Sequence, residues 1–213
     1  MMNSTIRRAV TAAVSVAAAL ALAGCGGSDS AGGTDHNGMP GMGSSSTSTS
    51  AAQDAGHNQA DVTFATNMIP HHQQAVEMAD LALKQASNAK VKALATDVKA
   101  AQDPEIQTMT GWLTSWGQPV PTPMAGHDMS GMSGMDGMMS AQEMSRLEAA
   151  TGAEFDRMWL QMMTKHHQGA VAMATTEKAQ GQSADATALA GQIITAQTKE
   201  IATMAQLLTT ITG

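Results

Sequence analysis

The stretch Met68-Ile-Pro-His71-His72-Gln-Gln-Ala-Val-Glu-Met78-Ala79 recurs later in the chain as Met163-Thr-Lys-His166-His167-Gln-Gly-Ala-Val-Ala-Met173-Ala174. The two copies are 95 residues apart, the separation of His71 from His166. The same shift aligns a second pair of segments, Gln102-x-x-Glu105-Ile-x-x-Met109 and Gln197-x-x-Glu200-Ile-x-x-Met204. One constant shift that covers both pairs indicates a duplicated two-helix unit.

Each of these segments has the spacing of an amphipathic helix. In the first one, apolar residues or histidines recur every three or four positions from Phe64 through Met68 to Ala82, which is the period of an α-helix. Four such helices, with a short turn inside each unit, predict an all-α four-helix bundle. The two histidine helices are equivalent halves of the duplication, so we expect them to face each other or to lie diagonally about a pseudo-twofold axis.

Local signals at the helix ends support these boundaries. A short extra helix is predicted at about 141–149, because Ser140 and Glu143 have capping-box spacing. Pro70 and Pro104 lie inside helical patterns and are expected to kink or restart their helices. The other predicted N-terminal caps are Asn88, Ser183 and a second capping box, Thr151 with Glu154.

The N-terminal segment has the layout of a secretory leader. Residues 1–25 contain Arg7 and Arg8, then an apolar run, and end in Leu22-Ala-Gly-Cys25, which resembles a lipoprotein cleavage box. We expect Cys25 to be lipidated and to anchor the protein to the membrane of the cell envelope, outside the cytoplasm. The alternative is a plain cleaved leader. Residues 26–57 are rich in Gly, Ser and Thr, which predicts a disordered tether.

The remaining domain boundaries follow from the repeat. The four-helix domain is predicted at 58–213, with repeat one at 58–116 and repeat two at 140–213. Residues 117–139, which we call the Met-rich loop, form the long connection between them.

Composition excludes some function classes. The chain has 213 residues and a formal net charge of −7, which argues against nucleic-acid binding because such proteins present a basic face. Cys25 is the only cysteine, so neither a disulfide within the chain nor a thiolate cluster can form. A metal site would use His, Met, carboxylate or backbone groups. No nucleophilic triad or nucleotide fingerprint is present.

The duplicated helices carry the candidate ligands of a metal site in the bundle. Each histidine doublet has a methionine three residues before it, on the same helix face, and another seven residues after it. The partner helices contribute a carboxylate at equivalent positions. The candidates are His71, His72, His166, His167, Met68, Met163, Met78, Met173, Glu105 and Glu200. The alternative is a structural network in which Glu accepts hydrogen bonds from His.

The Met-rich loop carries a second set of candidates. Its methionines recur among Gly, Ser and Asp, a composition that is not expected to build a core, so we expect them to gather around a soft ion. The alternatives are low-complexity drift and sacrificial oxidation of methionine. These candidates are His127, Met124, Met129, Met132, Met135, Met138 and Met139.

Thioether with imidazole suits copper, especially Cu(I), and also silver. Zinc with His and Glu is an alternative. Iron is less favoured, because di-iron bundles use four carboxylates with Glu-x-x-His on two helices. Here the positions three before each histidine hold Met68, Ile69, Met163 and Thr164.

The His-His motif at 68–79, its copy around His166, and the Gln-x-x-Glu-Ile-x-x-Met pattern resemble the family called domain of unknown function 305, over about residues 60–211. The resemblance implies a ferritin-like four-helix fold, and it implies copper binding, as in some exported members. It carries over His71, His72, His166 and His167 as candidate ligands. The second motif departs from the first at Lys165, which would oppose a nearby cation unless it points to solvent.

These observations predict a membrane-anchored protein that sequesters copper or hands it on to a partner, without catalysis. The other hypotheses are a ferritin-like metal-dependent oxidoreductase, a bundle that binds haem through two histidines, and a structural envelope lipoprotein with no metal role. The sequence leaves open whether the protein forms a homo-oligomer.

Overall fold

The computed structural model describes residues 56–122 and 136–211 of the chain. These residues contain five helices. They all belong to the compact unit Ser48–Gly213. The helices are α1 Gln59–Gln85, α2 Ala89–Ser115, α3 Ala141–Ala149, α4 Gly152–Gln180 and α5 Ala184–Ile211. Within the described ranges, the β pairing is limited to one isolated bridge between Ala86 and Gly152. The predicted all-α fold from a duplicated two-helix unit, with one short extra helix, is confirmed.

The helices pair as the duplication requires. α1 packs against α2, α4 packs against α5, and the two histidine helices α1 and α4 pack directly on each other. The indole nitrogen of Trp159, near the start of α4, donates to the carbonyl of Met78, near the end of α1 (2.8 Å). α1 and α4 are therefore antiparallel, and the expected pseudo-twofold relation holds.

Two equivalent aspartates fasten one repeat to the other. Asp156 on α4 accepts hydrogen bonds from the backbone N–H groups of Ser87 (3.0 Å) and Asn88 (2.9 Å), in the turn between α1 and α2, and from the Ser87 hydroxyl. Asp61 on α1 accepts from the N–H groups of Gln182 (3.1 Å) and Ser183 (3.0 Å), in the turn between α4 and α5. Each aspartate thus satisfies the free N–H groups at the start of a helix in the other repeat.

Most predicted helix ends are confirmed. Asn88 caps α2, the Ser183 hydroxyl accepts from the N–H of Ala186, and Ser140 with Glu143 forms the capping box of α3. The second predicted capping box is wrong, because the Thr151 side chain makes no cap hydrogen bond. Gly152 follows it with φ +61°, which breaks the regular first turn that a capping box requires.

Of the two outcomes expected at each proline, a kink or a restart of the helix, the restart does not occur. α1 runs through Pro70 and α2 runs through Pro104 without interruption. Tertiary packing of the apolar faces stabilises these helices beyond their local propensity.

The core has two clusters, one on each side of the level of the histidines. The first contains Phe155, Trp159, Leu160, Met163, Met78, Met139, Met144, Leu147 and Met204. The second contains Phe64, Met68, Ile69, Met109, Leu113, Ala170, Ala174 and Ile193. Because the histidines lie between these clusters along both α1 and α4, they occupy the middle of the bundle. Among the described helices, none combines the length and the apolar character that crossing a bilayer requires.

Candidate metal centre

All four histidines of the two doublets are buried in the middle of the bundle. His71, His72 and His167 have 0% of their surface exposed and His166 has 1%. His71 on α1 faces His166 on α4, with ring centroids 3.8 Å apart and planes inclined by 42°. We call these two rings the histidine pair. The duplication places one ring from each repeat at the pseudo-twofold axis.

The other two histidines turn toward their partner helices. His72 Nε2 lies 2.7 Å from Glu105 Oε2 on α2, and His167 Nε2 lies 2.7 Å from Glu200 Oε2 on α5. A carboxylate accepts hydrogen bonds, so each imidazole holds its proton on Nε2 and its lone pair on Nδ1. Part of the structural alternative therefore holds: Glu105 and Glu200 accept from histidine.

Six ring nitrogens of these histidines have no hydrogen-bond partner among residues 56–122 and 136–211. They are both nitrogens of His71, both nitrogens of His166, and Nδ1 of His72 and His167. The backbone carbonyl of Asp136 faces His71, but outside hydrogen-bond geometry. Buried polar groups in proteins are hydrogen-bonded in about nine cases in ten or more, so this cluster is exceptional.

The interior keeps the histidine pair neutral. Burial, and after it the neighbouring His72, lowers the pKa of His71 to about 3. Burial also lowers the pKa of His166 well below its usual value, with His71 as the next cause. Neutral imidazoles keep a lone pair, and a lone pair is what a metal ion requires.

The methionines of the bundle fall into three situations. Met68 and Met163 lie one helical turn before the histidine pair, and both are fully buried, one in each core cluster. Met78 is a fully buried residue of the first cluster. Met173, its repeat equivalent, is only partly buried, and it lines a cavity of about 420 Å³ at the surface beside Glu177. The two halves are therefore unequal at this position.

The candidates of the Met-rich loop divide between core and undescribed chain. Met138 has 9% of its surface exposed and Met139 has 1%, and Met139 belongs to the first core cluster. The expectation that loop methionines stay out of the core is wrong for these two, because folding packs the end of the loop against the bundle. His127, Met124, Met129, Met132 and Met135 lie outside the described residues, as does Cys25.

The end of the Met-rich loop is held at two points near the histidine pair. The buried amide of Gln74 donates to the carbonyl of Met139 (2.9 Å) and accepts from its N–H (2.7 Å). Just before Met139 in the chain, the backbone of Asp136 and Gly137 lies directly against Gly169 of α4. A Cβ atom at Gly169 would be 2.0 Å from the carbonyl oxygen of Asp136, so a side chain has no room there.

The side chain of Lys165 points to solvent, the condition under which it does not oppose a cation at the histidines. Its side chain is 52% exposed, and its ammonium lies 3.2 Å from Glu143 of α3. The charge therefore points to solvent rather than toward the histidine pair.

No group of three or more His, Cys, Asp or Glu side chains in residues 56–122 and 136–211 is already placed around one point. The Nε2 atoms of His72 and His167 face their own carboxylates, while the histidine pair meets at the axis. What the arrangement offers is a pair of adjacent neutral imidazoles with a thioether one turn away on each helix.

Comparison with known proteins gives this arrangement a family. The sequence profile of the family described as Domain of unknown function (DUF305) matches residues 61–208. The chain belongs to the DUF305 family. Comparison with curated proteins finds no match.

Solved structures of DUF305 proteins have the same fold. A protein from Streptomyces coelicolor is 34% identical with a TM-score of 0.65, and the match covers 72% of this chain and 94% of that one. CopM in a Cu(II)-bound form is 34% identical with a TM-score of 0.61, covering 70% and 96%. CopM in a Cu(I)-bound form is 32% identical with a TM-score of 0.59, covering 72% and 98%. CopM has also been solved with silver bound.

Sequence reasoning missed several residues that shape this DUF305 site. Asp61 and Asp156 are 95 residues apart, the same shift as between the histidines, but their fastening of the opposite turns was not predicted. Gln74 and Gly169 occupy the same position in the two repeats, and this difference between otherwise similar motifs could have revealed their roles. A glutamine in one repeat and a glycine in the other indicate that the end of the Met-rich loop contacts the two helices differently.

Proposed function

We propose that this chain is an exported, lipid-anchored protein that binds copper as cargo, chiefly Cu(I), and sequesters it or hands it on. The observation that carries the proposal is the set of six unpartnered ring nitrogens on four buried histidines. Leaving a buried polar group unbonded costs about 1–3 kcal/mol. A centre that keeps several such groups has a use for them, and imidazole nitrogen is a good copper ligand.

The geometry favours a soft monovalent ion. Cu(I) and Ag(I) accept two or three donors, and the histidine pair supplies two from opposite helices, 3.8 Å apart between ring centroids. Met68 and Met163 provide buried thioethers one helical turn away from these rings. The copper-bound and silver-bound structures of CopM, at 32–34% identity, support this choice.

Glu105 and Glu200 act through the histidines in this proposal. By accepting the Nε2 proton, each carboxylate fixes the tautomer and orientation of its imidazole, as second partners of metal-binding histidines commonly do. The freed Nδ1 atoms of His72 and His167 are then available as further donors. Met78, Met138 and Met139 serve the core, and Met173 lies at the surface.

We propose that the rest of the Met-rich loop, His127 with Met124, Met129, Met132 and Met135, captures the ion first. Several thioethers spaced closely along the sequence suit a soft ion, and the histidine pair would then receive it. A receiving partner protein and a homo-oligomer stay predictions.

Two observations support a location outside the cytoplasm. Residues 1–25 have the pattern of a secretory leader, and the similar protein from Streptomyces coelicolor is described as a predicted secreted protein.

Lipidation of Cys25 is tested by the mass of the mature N-terminal peptide. Cys25→Ser should move the protein from the membrane fraction to the soluble or unprocessed fraction. An unmodified Cys25 peptide in mature protein would remove the anchor from the proposal.

We further propose that the centre binds without turnover. Di-iron oxidation in ferritin-like bundles uses four carboxylates, and the two carboxylates at this centre are already bonded to histidine. Oxygen consumption should therefore stay at the background rate with Fe(II) or Cu(I) present. Sustained consumption that disappears in Glu105→Gln would favour the oxidoreductase instead.

The deciding experiment is an anaerobic Cu(I) titration of the full chain against a competing chelator, in a Cys25→Ser background that removes the thiol. X-ray absorption then separates nitrogen from sulfur ligands. His71→Ala with His166→Ala should abolish the imidazole contribution, and deletion of 124–135 should remove the ions that are bound by sulfur alone. Zn(II) and Fe(II) serve as competitors.

His57→Ala is the matched control, because it removes an imidazole that stacks on Trp116 away from the centre. The proposal fails if the His71/His166 double variant binds as many Cu(I) and Ag(I) ions, with the same nitrogen scattering, as the His57 control.

A further inference from the structure

The last part of the Met-rich loop, residues 136–139, forms what we call the strap. It lies against both histidine helices. Its first two residues contact Gly169 on α4, and its last residue is bonded to Gln74 on α1. Gln74 and Gly169 are the same position of the two repeats, three residues after His71 and His166. The strap therefore joins the two repeats at the level of the histidine pair.

The antiparallel packing of α1 and α4 determines where the strap runs. A step of three residues advances about 4.5 Å along a helix. Because the helices run in opposite directions, Gln74 and Gly169 lie on opposite sides of the pair, about 9 Å apart along the axes. A backbone that contacts both positions must cross over the pair. The Asp136 carbonyl, which faces the His71 ring while touching Gly169, lies on this path.

The contact at Gly169 is one of backbone against backbone. A Cβ at Gly169 would lie 2.0 Å from the oxygen and 2.6 Å from the carbonyl carbon of Asp136. On the strap side, Gly137 has φ +88°, and a Cβ there would lie 2.9 Å from Gly169 Cα and from the carbonyl oxygens of Lys165 and His166. Both contacts require glycine, since no flexible side chain can move aside.

Resting on the proposed copper function, we propose that Gln74 and Gly169 are positioning residues. They hold the strap across the histidine pair, so that the Asp136 backbone orients the His71 ring and an ion leaves the pair only after the strap is displaced. Neither residue touches the ion. The strap would thus control the exchange of ions between the histidine pair and solvent.

The arrangement explains the unequal repeats at this position. On α1 the Gln74 side chain bonds to the Met139 backbone, and on α4 the close approach of Asp136 leaves no room for a side chain at Gly169. If both repeats had glutamine here, the strap could not approach α4. If both had glycine, the strap would lose its hydrogen bonds to α1.

The test measures how fast Cu(I) leaves the full chain, in the Cys25→Ser background, to excess bathocuproine disulfonate under anaerobic conditions. The relevant kinetic phase is the one that His71→Ala with His166→Ala removes. Gly169→Ala should speed this phase at least about tenfold, equivalent to about 1.4 kcal/mol. Gly191→Ala on α5 is the matched control, because its Cβ would meet its nearest neighbour, the Lys178 ammonium, at an ordinary 3.7 Å.

A second variant sharpens the test. Gln74→Leu removes the bonds to Met139 and should also speed release. A Gly169→Ala or Gln74→Leu protein that folds, binds the same number of ions and releases them at the Gly191→Ala rate overturns the proposal.

A metal-free readout separates this proposal from the copper function. The imidazole ¹⁵N resonances of His71 should shift in Gly169→Ala without metal and stay unchanged in Gly191→Ala. If no Cu(I) phase depends on the histidine pair, the copper function fails, and these resonances alone decide whether the strap positions His71. Unshifted resonances in Gly169→Ala overturn the positioning role even where copper binds.

Discussion

Replacing the histidine pair with leucine should stabilise the metal-free protein. His71→Leu with His166→Leu removes four ring nitrogens that are buried and have no hydrogen-bond partner in the part of the chain that the structure describes. Leucine has a similar volume and no polar atoms, so the two core clusters would become continuous through the centre. An unbonded buried polar group costs about 1–3 kcal/mol. Burial of extra apolar surface adds to the gain.

The gain will be smaller than a simple sum over nitrogens. The two rings are in contact, with centroids 3.8 Å apart, so their effects are coupled, and leucine does not reproduce the ring shapes. We therefore expect the free energy of unfolding to rise by about 2 kcal/mol for the double variant. Urea unfolding of the metal-free proteins, with matched slopes, measures this difference.

The neighbouring position supplies the control. His72→Leu removes the hydrogen bond to Glu105, whose side chain is only 18% exposed, and leaves a carboxylate without its donor. We expect that variant to lose stability, by about 1–3 kcal/mol. Two His→Leu changes one residue apart should thus act in opposite directions.

Bound metal should reverse the order of stability between the wild-type protein and the double leucine variant. A ligand that binds only the folded state at 100 times its dissociation constant adds about 2.7 kcal/mol. Ag(I) should stabilise the wild-type protein by more than it stabilises the double leucine variant. A metal-free double variant that is less stable than the wild type by 2 kcal/mol or more would refute the reasoning, because the histidine pair would then be a satisfied part of the core.

Three further predictions follow from other parts of the structure. Burial, and then the hydrogen bond to Asp61, raises the pKa of Glu177 from 4.5 to about 8. The stability that its protonated form contributes is therefore complete below about pH 4.5 and is lost as the pH rises through 8. Glu177→Gln should flatten the fall in unfolding free energy between pH 5 and 9, whereas Glu154→Gln, an exposed change on the same helix, should not; equal curves would contradict the assignment. Glu200→Gln should weaken Cu(I) binding at the bundle by about 10–100-fold in chelator competition with little loss of helix by circular dichroism, and unchanged affinity would remove its orienting role. Asp156→Ala should cost about 2 kcal/mol or more in urea unfolding, since it leaves the N–H groups of Ser87 and Asn88 without their acceptor, and a cost under 0.5 kcal/mol would count against the fastening role.

The repeat made much of the fold predictable. A helix is a local structure, so the spacing of apolar residues and capping signals such as Ser140 with Glu143 were enough to predict α3 and the four long helices. The duplication also restricted how they assemble, because equivalent helices must be related by an axis. Thr151 and the two prolines show the limit: the capping box failed at Gly152, and the packed faces carried α1 and α2 through Pro70 and Pro104.

Part of the candidate site was predictable: the histidines and their glutamates were, but the way in which they pair was not. Sequence spacing brought the four histidines, Glu105 and Glu200 together. It could not tell that His71 and His166 would meet at the axis while His72 and His167 turned to carboxylates. Adjacent residues on a helix differ by about 100° in direction, and only the rotation of each helix in the bundle decides which one faces the axis.

The amino-acid sequence by itself determined the helices, their duplication and the chemistry available at the centre, because these depend on residue types and on spacings within one helix. Tertiary structure alone decided that Asp61 and Asp156 would fasten opposite turns, that Met138 and Met139 would be buried, and that the strap would cross the histidine pair. Those contacts join residues that are 65 to 122 positions apart. Such pairings depend on the register between packed helices, which no local pattern encodes.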